Sequence, residues 1–422
     1  MQDIARLGRK ITAVLFAGQG LASAAFIAAA TLNAIVAADL AGSASLAGVP
    51  SATYLLAGAF AAAGWGILND VLGRRQALVL GLLIGALGSG IAFFAITARS
   101  FLGFLGGVLL MGVANAAVQL ARFIAAEVHP PEARGRAISQ VVLGGTVGSV
   151  VGPLVAGPAG QFFRSFAGEE LAGAYAISLV LCLVGAAVVF IGLRPDPRQL
   201  GRELAASSAS AMVQSTGQDD AAGARVRGPA EVFRQPAAAV ALIAMVVGQL
   251  VMVLVMVITS LHMKHNQHTL GDISLVIAAH TFGMFAFSIF SGRLADRWGR
   301  GPVIVVGSAT LVVACAAATV SPDVLPLGVA LFFLGLGWNF CYVGGSTLLA
   351  DQLSPRERAR AQGFNDLLVG AASAIGSLSS GLIFAALGYA IMAYVSAALA
   401  LLPLLATTLW FHSRARRQPA IA

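Results

Sequence analysis

Two matching stretches organise this chain: Gly66-Ile-Leu-Asn-Asp70-Val-Leu-Gly73-Arg74-Arg75 and Gly292-Arg-Leu-Ala-Asp296-Arg-Trp-Gly299-Arg300. Gly, Leu, Asp, Gly and Arg recur in the second stretch, each displaced by 226 residues. A second set recurs with a displacement of 224: Glu127, Pro131, Arg134 and Arg136 return as Asp351, Pro355, Arg358 and Arg360. Self-similarity at a fixed spacing indicates that the chain is an internal duplication.

The composition places this duplicated chain in a membrane. Of its 422 residues, 58% are hydrophobic and only 10% are charged, whereas a soluble domain carries about a quarter charged residues. The apolar runs are about 20 residues long, which is the length of a membrane-spanning helix and not of a barrel strand. The net charge of +8 does not indicate nucleic-acid binding, because the basic residues lie in short loops and form no stripe.

The apolar runs predict twelve spans, and these fall into two groups of six. We place an N-terminal six-helix bundle at 1–193, a polar, low-complexity cytoplasmic linker at 194–236 and a C-terminal six-helix bundle at 237–422. The predicted spans are 11–37, 49–69, 77–98, 101–126, 138–160, 171–193, 237–260, 272–292, 303–320, 325–349, 362–386 and 389–411.

The distribution of Lys and Arg predicts the orientation. Of the 26 basic residues, 22 fall in the termini, the linker and the loops that would share one side with both termini. Only Arg99, Arg164 and Lys264 fall in the opposite loops, and Arg122 lies within span four. Because positive charge concentrates on the cytoplasmic side, both termini are expected in the cytoplasm of a bacterial cell, with the protein in the inner membrane.

The two matching stretches resemble the signature that the major facilitator superfamily carries in its loops 2–3 and 8–9. The resemblance covers the whole chain and implies an all-α membrane protein with twelve transmembrane helices in two pseudo-symmetric six-helix halves. It also implies an alternating-access transporter. The Gly residues would let helix ends approach, and the Asp and Arg groups would latch the cytoplasmic gate by hydrogen bonds. The gating residues implied are Gly66, Asp70, Gly73, Arg74, Gly292, Asp296, Gly299 and Arg300.

Span five contains Gly148-Ser-Val-Val-Gly152-Pro153-Leu-Val-Ala-Gly157, which is similar to the Gly-Pro motif of proton-coupled drug antiporters. Small residues there permit close helix packing. The resemblance favours efflux, but the Arg that these antiporters carry in span four is missing. Gly106 and Gly107 occupy that neighbourhood, which weakens the prediction of proton coupling.

Sulfur and imidazole groups concentrate in spans seven and eight. Five of the nine Met and four of the six His fall between residues 245 and 284. Met252 and Met256 share one helical face, and His280 and Met284 share another. If the two helices form an antiparallel hairpin, Met252 and His280 lie at the same depth. Thioether and imidazole ligands together suit Cu(I), so these four residues are a predicted metal site.

Each part of this metal prediction has an alternative in plain packing. Met is a common core filler, and a buried His can be satisfied by a backbone carbonyl or by Gln249. At the outer end of the pair, His262, Met263, His265 and His268 could form a funnel that collects metal ions, or a solvated polar hairpin. A His deep in an apolar span nevertheless favours a functional role.

The paired motifs Met252-x-x-x-Met256 and His280-x-x-x-Met284 are similar to those of the CcoA-type copper importers of the superfamily. This resemblance implies import of copper, as Cu(I), across the bacterial inner membrane, with these four residues handling the metal. Related branches are associated with riboflavin, so the alternative is transport of a small organic compound, either riboflavin-like import or drug efflux. The absence of aromatic residues from span seven disfavours a flat-ring substrate.

The remaining expectations concern chemistry and partners. No nucleophile–base constellation or nucleotide loop appears, so we do not expect an enzyme. The three Cys residues lie in predicted spans without a Cys-x-x-Cys spacing, which indicates neither a disulfide framework nor a zinc site. We expect no cofactor, since copper would be the transported substrate. The expected partners are that ion or a small molecule and the lipid bilayer, with no nucleic acid, and the protein is expected to be a monomer.

Overall fold

The computed structural model describes residues 2–167, 169–198 and 227–417. These parts of the chain are helical and contain no strand. Most of the predicted linker, including its Ser-rich stretch around Ser207, Ser208 and Ser210, lies outside the described residues.

The chain divides by its internal contacts into two compact units. The bounds are Met1–Leu32 with Thr53–Ala224 for the first unit, and Asn33–Ala52 with Arg225–Ala422 for the second. The turn between the first two helices, which the sequence places in the N-terminal bundle, therefore groups with the second unit. There, Ser377 Oγ donates a hydrogen bond of 2.7 Å to the carbonyl of Gly48.

The helices before residue 198 are numbered in chain order. They are α1 (Gln2–Ala41), α2 (Val49–Leu72), α3 (Arg74–Thr97), α4 (Phe101–Val118), α5 (Ala121–Glu127), α6 (Pro131–Ala167) and α7 (Gly173–Gly192), with a short 3-10 turn at Ala44–Leu46.

The helices after residue 227 continue this numbering. They are α8 (Pro229–Phe233), α9 (Pro236–His265), α10 (Leu270–Phe285), α11 (Ser288–Trp298), α12 (Arg300–Ala317), α13 (Val324–Ala350) and α14 (Pro355–Arg417).

The described helices account for twelve membrane spans. Eleven stretches are long and apolar enough to cross a bilayer, and the last, Arg360–Ser413, is long enough for two. Gly388 divides that stretch, because its φ of 78° and ψ of 175° interrupt the helix. Two other spans are each built from two helices, α4 with α5 and α10 with α11. The predicted all-α fold with twelve spans is confirmed.

Small residues of α6 pack directly on the backbone of α1. A Cβ atom added to Gly148 would lie 2.0 Å from the carbonyl oxygen of Gly20, and one added to Gly152 would lie 2.6 Å from that of Ala24. Neither position has room for a side chain. The close packing predicted for span five is therefore present inside the first unit.

The described residues at the two ends of the predicted linker are hydrogen-bonded to the first turns of helices in their own units. Asp196 accepts hydrogen bonds from the backbone N–H groups of Arg75 (3.1 Å), in the first turn of α3, and Arg198 (2.9 Å). Arg227 Nε and Nη2 donate to the two carboxylate oxygens of Glu357 at 2.8 and 2.9 Å.

The Glu357 side chain of this pair is shielded from solvent, whereas Arg227 is half-buried. Only 4% of the Glu357 side chain is exposed, and its carboxylate also accepts from the backbone N–H groups of Ser354 and Arg227. These bonds, led by the Arg227 guanidinium, hold the pKa of the Glu357 carboxyl well below its usual range. The pair fixes the chain just before α8 to the first turn of α14, and Arg227 Nη2 also donates to the carbonyl of Gln352 in the loop before α14.

Candidate functional site

A chain of hydrogen bonds joins three helices of the second unit. Trp338 Nε1 on α13 donates to Gln249 Oε1 on α9 at 2.7 Å, and Gln249 Nε2 donates to Ser373 Oγ on α14 at 2.9 Å. Ser373 in turn donates to the carbonyl of Val369 at 2.9 Å. An indole N–H can only donate, so every bond in this chain has one direction. Polar side chains inside membrane spans are costly and mark functional positions by default.

Aromatic rings surround the start of this chain. The rings of Trp338 and Tyr342 stack with their centroids 5.1 Å apart and their planes 23° apart. Phe285, the last residue of α10, meets the Trp338 ring edge-on at 6.1 Å. All three rings are half-buried, as is Gln249. Stacked and edge-on arrangements are those that aromatic quadrupoles prefer, so this is a formed aromatic surface with one amide at its side.

A break in the regular helical hydrogen bonding between α10 and α11 follows Phe285 directly. It is a local distortion of one continuous span, because Ala286 keeps helical angles and Phe287 departs from them with φ −96° and ψ 4°. Asn339 on α13 hydrogen-bonds to the groups around this break. Its Nδ2 donates to the carbonyl of Met284 (2.6 Å) and to Ser288 Oγ (2.9 Å), while Ser291 donates to its Oδ1. Broken spans occur in transporters where the backbone lines a substrate site, provided that neighbouring side chains satisfy the freed polar groups.

We call Phe285, Trp338, Tyr342, Gln249 and Ser373 the aromatic site. Its three rings come from spans eight and ten and were not predicted, because the predicted site consists of Met and His side chains of spans seven and eight. The available signal was Trp338-x-x-x-Tyr342, two aromatic residues on one face of span ten.

The predicted metal residues lie in the same unit but on helices that pack mainly elsewhere. Helix α9 packs mostly against α14 and α13, and α10 packs mostly against α13, whereas α9 and α10 contact each other little. Met252 is 5% exposed, His280 is fully buried, and Met256 and Met284 are half-buried. The antiparallel hairpin assumed for Met252 and His280 is therefore not the main packing of these two helices.

His280 has a hydrogen-bond partner on α13. Its Nδ1 lies 2.9 Å from the carbonyl oxygen of Leu331, so Nδ1 carries the proton and donates. The other ring nitrogen, Nε2, is buried and has no hydrogen-bond partner among the described residues. The same part of the chain contains no group of three or more His, Cys, Asp or Glu side chains placed to hold a metal ion.

Of the residues predicted to collect metal ions at the outer end of α9, His262 and Met263 are packed against protein, whereas His265 is exposed. The ring of His262 lies flat on that of Tyr389, with centroids 4.0 Å apart and planes 3° apart. The ring of His265 lies 5.6 Å from that of Phe384, and Met263 is fully buried. His268 follows α9 and donates its backbone N–H to Met263. The stacking covers one face of the His262 ring and leaves open whether its edge nitrogens, through which imidazole binds metals, serve as ligands.

The two predicted gating motifs have closely similar geometry. Arg74 donates two hydrogen bonds to Glu127, at 2.8 and 2.9 Å, and one to Asp70 at 3.0 Å. In the duplicate motif, Arg300 donates to Asp351 at 2.9 Å and lies 3.3 Å from Asp296. Each Asp is thus paired with the Arg of its own motif.

The glycines of these motifs differ in role. Gly73 and Gly299 have φ values of 92° and 93°, which L side chains rarely adopt. A Cβ added to Gly66 or Gly292 would meet nothing within 4 Å in the described parts of the chain. The close approach of helix ends that we expected at these glycines is therefore not found at Gly66 and Gly292.

A separate groove of about 670 Å³ lies in the first unit between α3, α6 and α7. It is lined only by apolar residues, among them Phe93, Phe163 and Val180. Such a lining offers no group to orient a polar substrate, so we do not place the functional site there.

The family model of the Major Facilitator Superfamily matches residues 14–264 and 240–422, which together span nearly the whole chain. The chain belongs to this superfamily. Its family and fold are those of membrane carriers, so the protein is a multi-pass membrane transporter.

Three known proteins illustrate what the chain is similar to. YdeG of Bacillus subtilis (strain 168), an uncharacterised MFS-type transporter, is 32% identical over 403 residues, covering 95% of this chain and 90% of YdeG. The riboflavin transporter RfnT of Brucella anthropi is 29% identical over 383 residues, covering 89% of each chain. The crystal structure of the nucleoside transporter NupG shares the fold at 16% identity, with a TM-score of 0.71 and coverage of 96% of this chain and 99% of NupG.

These superfamily relatives do not support the resemblance to the CcoA-type copper importers. They favour the alternative that the sequence left open, a small organic compound, over copper. Met252, Met256, His280 and Met284 stay a predicted metal site with no supporting relative.

Proposed function

We propose that this superfamily member carries a small, planar organic compound across the bacterial inner membrane, and that riboflavin is the first compound to test. The observation that carries the proposal is the aromatic site, where Trp338 and Tyr342 stack 5.1 Å apart beside the oriented amide of Gln249. Ligand sites are mostly apolar, with a small number of fixed polar groups that orient the ligand.

The chemistry of the site suits a flat heterocycle better than a metal ion. Trp338 and Phe285 are half-buried rings to which a planar ring could add a further aromatic pair, and each aromatic pair contributes about 0.5–1.5 kcal/mol beyond its buried area. The similarity to a riboflavin transporter over 89% of the chain supports the same class of substrate. The aromatics absent from span seven are supplied by α10 and α13.

The transport cycle we propose is alternating access about a site near the midplane. The substrate stacks on the aromatic site, and the break between α10 and α11 lets that span bend without exposing unpaired backbone groups. The Asp–Arg–acid clusters at Arg74 and Arg300 form and break at the cytoplasmic ends of the helices. We place both termini in the cytoplasm on the basis of the Lys and Arg distribution.

Uptake of labelled riboflavin tests this proposal in bacterial cells that lack their own riboflavin transporter. Cells that express the chain should accumulate the label, and Trp338→Ala should reduce the initial rate at least about tenfold, since one stacking partner and one hydrogen bond to Gln249 are lost. Phe333→Ala is the matched control, because Phe333 is an aromatic residue of the same helix whose ring is 43% exposed.

A binding assay identifies the substrate independently of the direction in which it is transported. Flavin fluorescence should be quenched when the compound stacks on the purified wild-type protein and not on the Trp338→Ala variant. Quenching without uptake, together with faster loss of preloaded riboflavin, would assign export. Neither quenching nor transport in either direction would overturn riboflavin as the substrate.

A further inference from the structure

The orientation of the Gln249 amide is fixed by its partners. Trp338 Nε1 can only donate, so the Gln249 atom that faces it must be the carbonyl oxygen. The hydroxyl of Ser373 uses its proton on the carbonyl of Val369, so it must accept from Gln249 Nε2. Both ends of the amide are thus assigned by chemistry, and the group cannot flip without breaking two hydrogen bonds.

Half of the hydrogen-bonding capacity of this amide is unused. A carboxamide has two N–H donors and two lone pairs on its oxygen. Within the described parts of the chain, Gln249 uses one donor on Ser373 and one lone pair on Trp338. One N–H and one lone pair remain on a half-buried side chain beside the stacked rings of Trp338 and Tyr342.

We propose that Gln249 is a specificity-determining residue that selects planar rings carrying an N–H next to a ring carbonyl. A ring edge of this kind, a lactam or an imide, offers one donor and one acceptor side by side. It can pair with the free N–H and the free lone pair of Gln249 while its faces stack on the aromatic site. The inference rests on the proposed function and narrows its substrate class.

Riboflavin fits this description, because its ring system carries an N–H between two carbonyl groups. A carbocyclic aromatic compound, or a heterocycle methylated on that nitrogen, would stack equally well but would leave the Gln249 N–H or lone pair without a partner. Leaving a buried polar group unpaired costs more than the net gain of a hydrogen bond, so such compounds should be rejected.

The first test uses the wild-type protein. Binding by fluorescence quenching is compared for riboflavin, for its derivative methylated on the ring N–H, and for a control analogue with one extra carbon on the benzenoid ring. We expect the N-methyl derivative to bind at least about tenfold more weakly than riboflavin, equivalent to about 1.4 kcal/mol, and the control analogue to bind within about threefold of riboflavin, since a change of one methylene in an apolar contact is worth little by comparison.

The second test replaces Gln249 with Met, which keeps the length of the side chain and removes its hydrogen bonds. Gln249→Met should bind riboflavin and the N-methyl derivative with equal, weakened affinity. Gln362→Leu is the matched control, because Gln362 is an exposed glutamine of α14. Thermal unfolding of each variant shows whether it is folded.

Three results would overturn the inference. Equal binding of riboflavin and its N-methyl derivative by the wild type would leave the proposed function standing and remove the role of Gln249. Discrimination that persists in Gln249→Met would assign it to another residue. If the wild type neither binds nor transports riboflavin, the proposed function fails and the inference fails with it.

Discussion

Gly73 and Gly299, which lie 226 residues apart, share one backbone conformation, with φ/ψ of 92°/160° and 93°/158°. This region of φ/ψ space is essentially restricted to glycine. Both copies of the gating motif therefore need a glycine at this position, because only glycine adopts this backbone conformation readily.

Replacing either glycine with Ala should destabilise the protein by about 1–3 kcal/mol. Gly73→Ala should be the more harmful, because its Cβ would also lie 3.0 Å from Asp196 Oδ2, whereas the nearest atom to a Cβ at Gly299 is 3.7 Å away. Thermal unfolding in detergent measures both. Gly66→Ala and Gly292→Ala are the controls and should leave the melting temperature unchanged or raise it, since a Cβ there meets no described atom within 4 Å and Ala is favoured over Gly inside a helix by about 0.5–1 kcal/mol. Equal losses at all four positions would contradict a conformational role.

Exchanging Arg for Lys should distinguish the two gating motifs. Arg74 holds Glu127 with two hydrogen bonds from its guanidinium, whereas Arg300 donates only one to Asp351. A lysine cannot reproduce a two-pronged contact, so Arg74→Lys should slow transport more than Arg300→Lys. Initial uptake rates at saturating substrate measure the difference. If Arg300→Lys is the slower variant, the geometry of the Glu127 contact does not matter for the gate.

The break between α10 and α11 should depend on Asn339. Asn339→Leu removes the hydrogen bonds that Asn339 makes with the Met284 carbonyl, Ser288 and Ser291, each worth about 0.5–1.5 kcal/mol. The two serine hydroxyls keep a partner, because they also donate to the carbonyls of Phe285 and Phe287. We expect a fall in the melting temperature of the purified protein. Asn365→Leu is the control for loss of a buried Asn, because Asn365 contacts only its neighbour Asp366 by a long bond of 3.4 Å. An equal fall in both variants would mean that the break needs no such support.

The contribution of Glu357 to stability should depend on pH in a defined direction. Its pKa is lowered in the folded protein, so its stabilisation is fully present above the unfolded value of about 4.3 and is lost as the pH falls toward the folded value. The difference in melting temperature between wild type and Glu357→Gln should stay constant from about pH 8 to pH 5 and shrink below about pH 4. Asp366→Asn, which removes one negative charge from an exposed position of the same helix, is the matched control variant. A difference that grows on acidification would contradict the assigned sign.

Two near-isosteric variants should decide between copper and an organic substrate. Met252→Leu removes the thioether at similar volume, and His280→Asn keeps a donor for the Leu331 carbonyl while removing Nε2. Under the proposed function both variants retain riboflavin uptake, and expressing the wild type leaves cell copper, measured by mass spectrometry, at the level of control cells. If the wild type accumulates copper and either variant abolishes that accumulation, the predicted metal site would be supported and the organic substrate contradicted.

Sequence alone was sufficient for the fold. Apolar runs of about 20 residues gave twelve spans, and the duplicate motifs around Asp70 and Asp296 gave the superfamily. The breaks at residues 119–120 and 286–287 were not predicted, because hydropathy does not change where a helix ends inside an apolar run.

The aromatic site could not be predicted because it depends on which helices are neighbours. Sequence reasoning paired Met252 with His280 on the assumption that consecutive helices pack together, which is the usual case. Here α9 packs mainly against α14 and α13, so Gln249 meets Trp338 and Ser373, which follow it by 89 and 124 residues. Contacts at such separations leave no periodicity in the sequence.

The indole of Trp338 both stacks on Tyr342 and donates a hydrogen bond to Gln249, which makes its fluorescence a natural probe of the aromatic site. The light emitted by an indole shifts with the polarity and hydrogen bonding around it. The chain has only three other tryptophans, Trp65, Trp298 and Trp410. With those three replaced by Phe, the colour of the remaining emission would report occupancy of the carrier in real time, without any attached label.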